Sequence, residues 1–97
     1  MRMFDNIRRW AAARNLIQGS SPDRQLIKLA EEIEELEEAM WKDDRGEYID
    51  AIGDCIVVLT IMAAQKGINV EDCIAAAWEQ IKDRKGKMVD GIFVKEA

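Results

Sequence analysis

The chain has 97 residues, 19 acidic and 14 basic, for a net charge of −5, and none is histidine. That length holds one domain, residues 1–97, and leaves a monomer marginal, because so small a chain buries only about 60–65% of its unfolded surface. The acid excess argues against a nucleic-acid-coating surface, and the lack of histidine removes histidine triads, histidine general bases and His/Cys zinc sites.

Phe4, Ile7 and Ala11 follow helical spacing and predict a first helix from about residue 3 to 17, ended by Gly19. Ser21-Pro22-Asp23 reads as N-cap, N1 and N2 of a second helix. The serine oxygen can accept an orphan amide, proline loses no hydrogen bond at N1, and aspartate suits the helix dipole. This helix should run to about Lys42, before a polar break over Asp43-Asp44-Arg45-Gly46. A third helix, from about Glu47 to Lys66, holds the most apolar stretch and ends at Gly67. Asn69 can cap a fourth helix running to about Arg84, with Gly86 stopping it. In the remainder, Asp90-Gly91 is a turn signal between short apolar runs, so the tail is either extended or a small hairpin. The fold class is all-α, four-helix bundle-like, with a short extended C-terminal tail. Cys55 and Cys73 read as buried free thiols. The N-terminus has no apolar core of signal-peptide length, and the longest apolar run, Cys55 to Ala64, is too short to span a bilayer. The expectation is a cytoplasmic protein that engages neither membrane nor nucleic acid.

On a wheel of about 100° per residue, Leu26, Leu29, Ile33, Leu36 and Met40 of the second helix cluster within about 80° and predict its core face. Glu31, Glu34 and Glu38 lie on the far side, where a solvated acidic face is the plain reading. Glu32 lies at the shoulder of the core face, and Glu35 sits between it and the exposed acids. Spacings of three and four bring Glu31, Glu32 and Glu35 together, with only Lys28 and Lys42 placed to offset them. On the third helix Asp50 and Asp54 share a side that continues as Val57, Val58 and Ile61, with Glu47 nearby. An ionised carboxylate on an otherwise apolar stripe is costly unless paired or metal-bound. The short break makes the two helices antiparallel, which lets the acids face each other across a hard-cation site for Mg²⁺ or Mn²⁺. Lys82, Arg84, Lys85 and Lys87 form a basic cluster, read either as helix-terminal cations or as phosphate contacts.

At these residues the sequence resembles the all-α nucleoside triphosphate pyrophosphohydrolases, and most of all the short MazG-like proteins of bacteriophages and Gram-positive bacteria. The stretch K-L-A-E-E-I-E-E-L matches the E-E-x-x-E half of the signature through Glu31, Glu32 and Glu35, and D-A-I-G-D matches the second half through Asp54. The resemblance continues into the tail IKDRKGKMVDGIFVKE. The chain departs from the pattern at Ala51, where the signature has glutamate, and the adjacent Asp50 is the candidate to replace it. The resemblance implies hydrolysis of a (deoxy)nucleoside triphosphate to the monophosphate and pyrophosphate. It implies Mg²⁺ (or Mn²⁺) held by Glu32, Glu35 and Asp54, with Asp50 as a further ligand, and Glu31 or Glu35 activating water. Lys82, Lys85 and Arg84 would hold phosphates. Trp10 and Asn15 are the candidates for base contacts, although tryptophan is more often core or interface. The all-round apolar third helix and the resemblance both suggest a homodimer or homotetramer. Two other readings stand beside this one: a non-catalytic helical interaction module, favoured by Ala51, and a phosphoribosyl-ATP-pyrophosphatase-like enzyme.

Overall fold

A computed structural model describes residues 2–97. Its elements are α1 (Arg2–Ala13), α2 (Pro22–Lys42), α3 (Arg45–Gln65), α4 (Val70–Ile81), β1 (Gly86–Val89) and β2 (Ile92–Lys95). The fold is all-α, and the C-terminal segment is a hairpin.

The first helix is shorter than its periodicity predicts, because Asn15 ends it. Asn15 adopts a left-handed φ of 59°, its amide donates to the Ala12 carbonyl at 3.1 Å, and the Leu16 amide reaches back to Ala11 at 2.9 Å. Asparagine tolerates this conformation better than most residues. Gly19 then packs so closely that a Cβ there would collide with the Asn15 side chain. Ser21 occupies the N-cap of α2 but makes no side-chain cap bond. Its hydroxyl instead serves the Asp23 carboxylate, which it holds below the usual range, so Pro22 sets the start of the helix.

The break between α2 and α3 is two residues, Asp43 and Asp44, rather than four. Asp43 is left-handed (φ 55°) and closes α2. The Asp44 amide donates to the Ala39 carbonyl at 3.2 Å, and its carboxylate accepts the Glu47 amide at 3.1 Å to open α3. Gly67, with φ 69°, ends α3 as expected. The fourth helix stops at Ile81, so Arg84, Lys85 and Lys87 lie beyond it, and its last turn holds no base. Asp90 (φ 49°) and Gly91 (φ 80°) form the two-residue turn that joins β1 to β2, pairing Met88 with Phe93 and Val89 with Ile92.

The antiparallel α2–α3 pair is the frame, with α1 and α4 each packed on α3. Ala11 of α1 is fully buried, as is Thr60 of α3, whose hydroxyl donates to its own helix at the Ile56 carbonyl. Arg8 ties α1 to the first turn of α4 through two hydrogen bonds to Glu71, at 2.6 and 2.7 Å. The packed face of α2 differs from the predicted one. Gln25, Leu29, Glu32, Leu36 and Ala39 line it, rotated by about 60° from the expected centre. Leu26, Ile33 and Met40 are exposed in consequence, as are Ile49, Ile52, Ile56 and Leu59 of α3. Cys55 is half-buried but Cys73 is exposed, so burial is not shared by the two free thiols. Among the described residues no single helix is long and apolar enough to cross a membrane.

Candidate functional site

The rotation of α2 places Glu32 inside the helix pair. Its flanking neighbours on the seam, Leu29 and Leu36, are apolar, and the residue is 6% exposed. Across from it Asp54 projects from α3 about two and a half turns in, and Glu35 follows one turn after Glu32. Carboxylate oxygens of Glu32, Glu35 and Asp54 all lie within 4.8 Å of one another.

Three like charges so close, one of them buried, need compensation. Lys28 supplies some: its ammonium lies 3.3 Å from a Glu32 oxygen and 3.5 Å from Glu31. The other Glu32 oxygen, Oε2, is buried and has no hydrogen-bond partner among the described residues. Burial pushes the Asp54 carboxyl above its usual range; the charge of Glu32, the close approach of the Glu32 carboxyl as a hydrogen-bonding neighbour, and then the charge of Asp50 push it further, with Lys28 opposing. Neighbouring carboxylates can come together in two ways, through a shared proton or through a cation. Burial together with the Glu32 and Asp54 charges also raises the Cys55 thiol, which points to no reactive cysteine there.

A cleft of about 320 Å³ opens beside this trio, lined by Glu35, Glu38, Lys42, Glu47, Asp50, Ala51 and Asp54. Its lysine is already engaged, 3.0 Å from Glu38 and 3.9 Å from Glu47. Ala51 is buried at the cleft wall, so the position where the signature has glutamate offers a methyl group. Asp50, one residue earlier, is exposed in the same cleft. The donor set is all oxygen, which suits a hard divalent cation that keeps part of its water shell. The orphaned Glu32 oxygen fits such an ion as well.

The other expected site residues are placed elsewhere. Glu31 is exposed and pairs with Lys28. Lys82, Arg84 and Lys85 do not line the cleft. Lys82 pairs with Glu79 at 2.7 Å, and Lys85 borders the base of the hairpin. Trp10 is partly exposed, with the Arg14 guanidinium 4.5 Å over its ring. Asn15 caps α1. Glu38 is the lining residue that helical periodicity assigned to solvent. It lies on the far side of α2 from the predicted core face, yet it lines the cleft.

A sequence model of the phosphoribosyl-ATP pyrophosphohydrolase family matches residues 12–88. The chain is also 43% identical over 67 residues to an uncharacterized 18.2 kDa protein in the rep-hol intergenic region of Haemophilus phage HP1 (strain HP1c1). That match covers 69% of this chain and 41% of the phage protein, so the chain spans well under half the length of this relative. No solved structure matches. The matched span contains α2, α3 and every acid of the cleft, and the chain therefore belongs to the phosphoribosyl-ATP pyrophosphohydrolase family.

Proposed function

We propose that the chain is a MazG-like pyrophosphohydrolase that, with Mg²⁺, cleaves (deoxy)nucleoside triphosphates between the α and β phosphates, releasing the monophosphate and pyrophosphate. The family supports a pyrophosphohydrolase in general. The observation that carries the reading is the buried Glu32, with one oxygen unpartnered, facing Glu35 and Asp54. Glu32, Glu35 and Asp54 would hold the cation, with Asp50 at the cleft wall as the fourth carboxylate. When bound, Mg²⁺ (or Mn²⁺) neutralises phosphate oxygens and lowers the pKa of water at the site.

The chain's own residues do the rest. Lys28 pairs with Glu32 and orients its carboxylate within the seam. Glu31 is held at the rim by the same lysine, while Glu35 has one carboxylate to divide between ligation and proton acceptance. Either can accept a proton from the attacking water. Lys82, Arg84 and Lys85 would supply positive charge for the outer phosphates, since Lys42 in the cleft is already paired with Glu38. Trp10 and Asn15 are the proposed base contacts. Substrates of this kind belong to the cytoplasm.

The active form is proposed to be a homodimer or homotetramer. What supports this is the apolar side of the α2–α3 pair, where Leu26, Ile33 and Met40 stand exposed beside Ile49, Ile52, Ile56 and Leu59. A second copy packed there would complete a four-helix bundle.

Phosphoribosyl-ATP is the second substrate to weigh, because the matching family carries its name. The test is pyrophosphate release from a panel of nucleoside triphosphates and phosphoribosyl-ATP, with Mg²⁺ or Mn²⁺. Release from one or more triphosphates above the phosphoribosyl-ATP rate is expected. No release from any member would make the chain a non-catalytic module and sink the proposal.

A further inference from the structure

We infer that the C-terminal hairpin is an exchange arm that docks on the back of α2 in a second copy of this chain, against Glu34, Glu37 and Trp41. Every residue of both strands is exposed. The strand register puts Met88 and Phe93 on one face and Val89, Ile92 and Val94 on the other, so both faces are apolar. Met88 and Ile92 are 68% and 69% exposed. An isolated two-stranded hairpin is marginal in water, and this one also leaves both edges open. It needs a cover, and among the described residues its main packing is strand on strand.

Charge decides which cover fits. From Lys82 onward the chain carries five bases against three acids, while the residues before it carry nine bases against sixteen acids. The back of α2 is acidic, and a shallow hollow there is lined by Glu34, Glu37, Glu38, Trp41 and Lys42. Trp41 stands 76% exposed within it, an apolar ring bordered by carboxylates. A ribbon with apolar faces flanked by Lys87 and Lys95 is its complement. Each copy carries both surfaces, so two copies can exchange arms symmetrically and close the assembly. Glu38 and Lys42 line both this hollow and the carboxylate cleft, so a docked arm would lie beside the partner's cleft. This goes beyond the proposed activity and rests only on self-association.

The test is a charge exchange between two full-length variants, followed by light scattering and by hydrogen exchange of the hairpin amides. One variant carries Lys87→Glu and Lys95→Glu; the other carries Glu34→Lys and Glu37→Lys. Each alone should self-associate at least tenfold more weakly than the parent, with like charges facing like. An equimolar mixture should restore a 1:1 assembly, which also shows that both variants are folded. In the parent, hairpin amide exchange should slow as concentration rises through association. Variants that associate as tightly as the parent, a mixture that fails to recover, or hairpin exchange independent of concentration would each overturn the arm. Because no readout uses catalysis, these results stand whatever the substrate panel returns.

Discussion

Asp54 sets stability against function most directly. Its pKa is raised, so at neutral pH its ionised form costs the metal-free protein stability. Asp54→Asn should therefore leave the chelated protein as stable as the parent or more so. With millimolar Mg²⁺ the parent should gain about 2.7 kcal/mol if the ion is at a hundred times its Kd, and the variant much less. Hydrolysis should fall by orders of magnitude. Paired thermal melts with Mg²⁺ and with chelator check this: equal shifts in both proteins would remove Asp54 from the ligand set. The basic cluster has a kinetic test. Lys82→Ala with Lys85→Ala should raise KM about tenfold or more while leaving the melting temperature in Mg²⁺ unchanged, since neither lysine lines the cleft. Wild-type KM and kcat would reduce the cluster to surface charge. Asp54 and Glu32 were legible as unusual from spacing alone, because each shares a helix side with apolar residues. The unpartnered Glu32 oxygen was not, since it depends on what α3 brings opposite.

Between elements, the Arg8–Glu71 pair joins α1 to α4, two helices that each pack on α3. The Arg8 guanidinium holds the Glu71 carboxyl down at about 2, against an ordinary value of 4.5. A depressed carboxylate stabilises the fold fully above its unfolded pKa, and that stability is lost as pH falls through the folded value. The stability difference between parent and Glu71→Gln should therefore be largest above about pH 4.5 and should shrink toward zero as pH falls to about 2. Melting temperatures of both proteins across that range measure it; a constant difference would mean that the pair contributes through packing rather than charge. Periodicity located all four helices but misjudged their ends where polar side chains decide them. Asn15 ends α1 four residues before Gly19, and the Asp43-Asp44 pair shortens the α2–α3 connection. A left-handed asparagine or aspartate carries no mark in sequence that separates it from an ordinary polar residue.

At the scale of the molecule, one chain covers too little of itself. The exposed apolar side of α2 and α3 lies away from the acidic cleft, so association there would leave the cleft open to substrate. Light scattering at micromolar concentration should return a mass at or above twice 11.1 kDa. A second measurement locates the contact: Ile33→Glu with Ile56→Glu should lower that mass toward a single chain by placing charge in a desolvated interface. A mass near 11.1 kDa for the parent would count against any assembly.

The sequence by itself determined the helix count, the antiparallel α2–α3 hairpin and the clustering of acids on facing sides, because these follow from local periodicity and a short connection. It also carried the family resemblance, through residues whose spacing is set by the helical turn. Tertiary structure decided which face of α2 packs. Leu26, Ile33 and Met40 looked like core because they are apolar, yet Gln25, Glu32 and Ala39 are the residues buried against α3. A helix wheel ranks faces by hydrophobicity and cannot say which apolar stripe meets its own chain and which is left for another. Here small and polar residues let α2 and α3 approach around a carboxylate, and the larger apolar side chains are left facing outward.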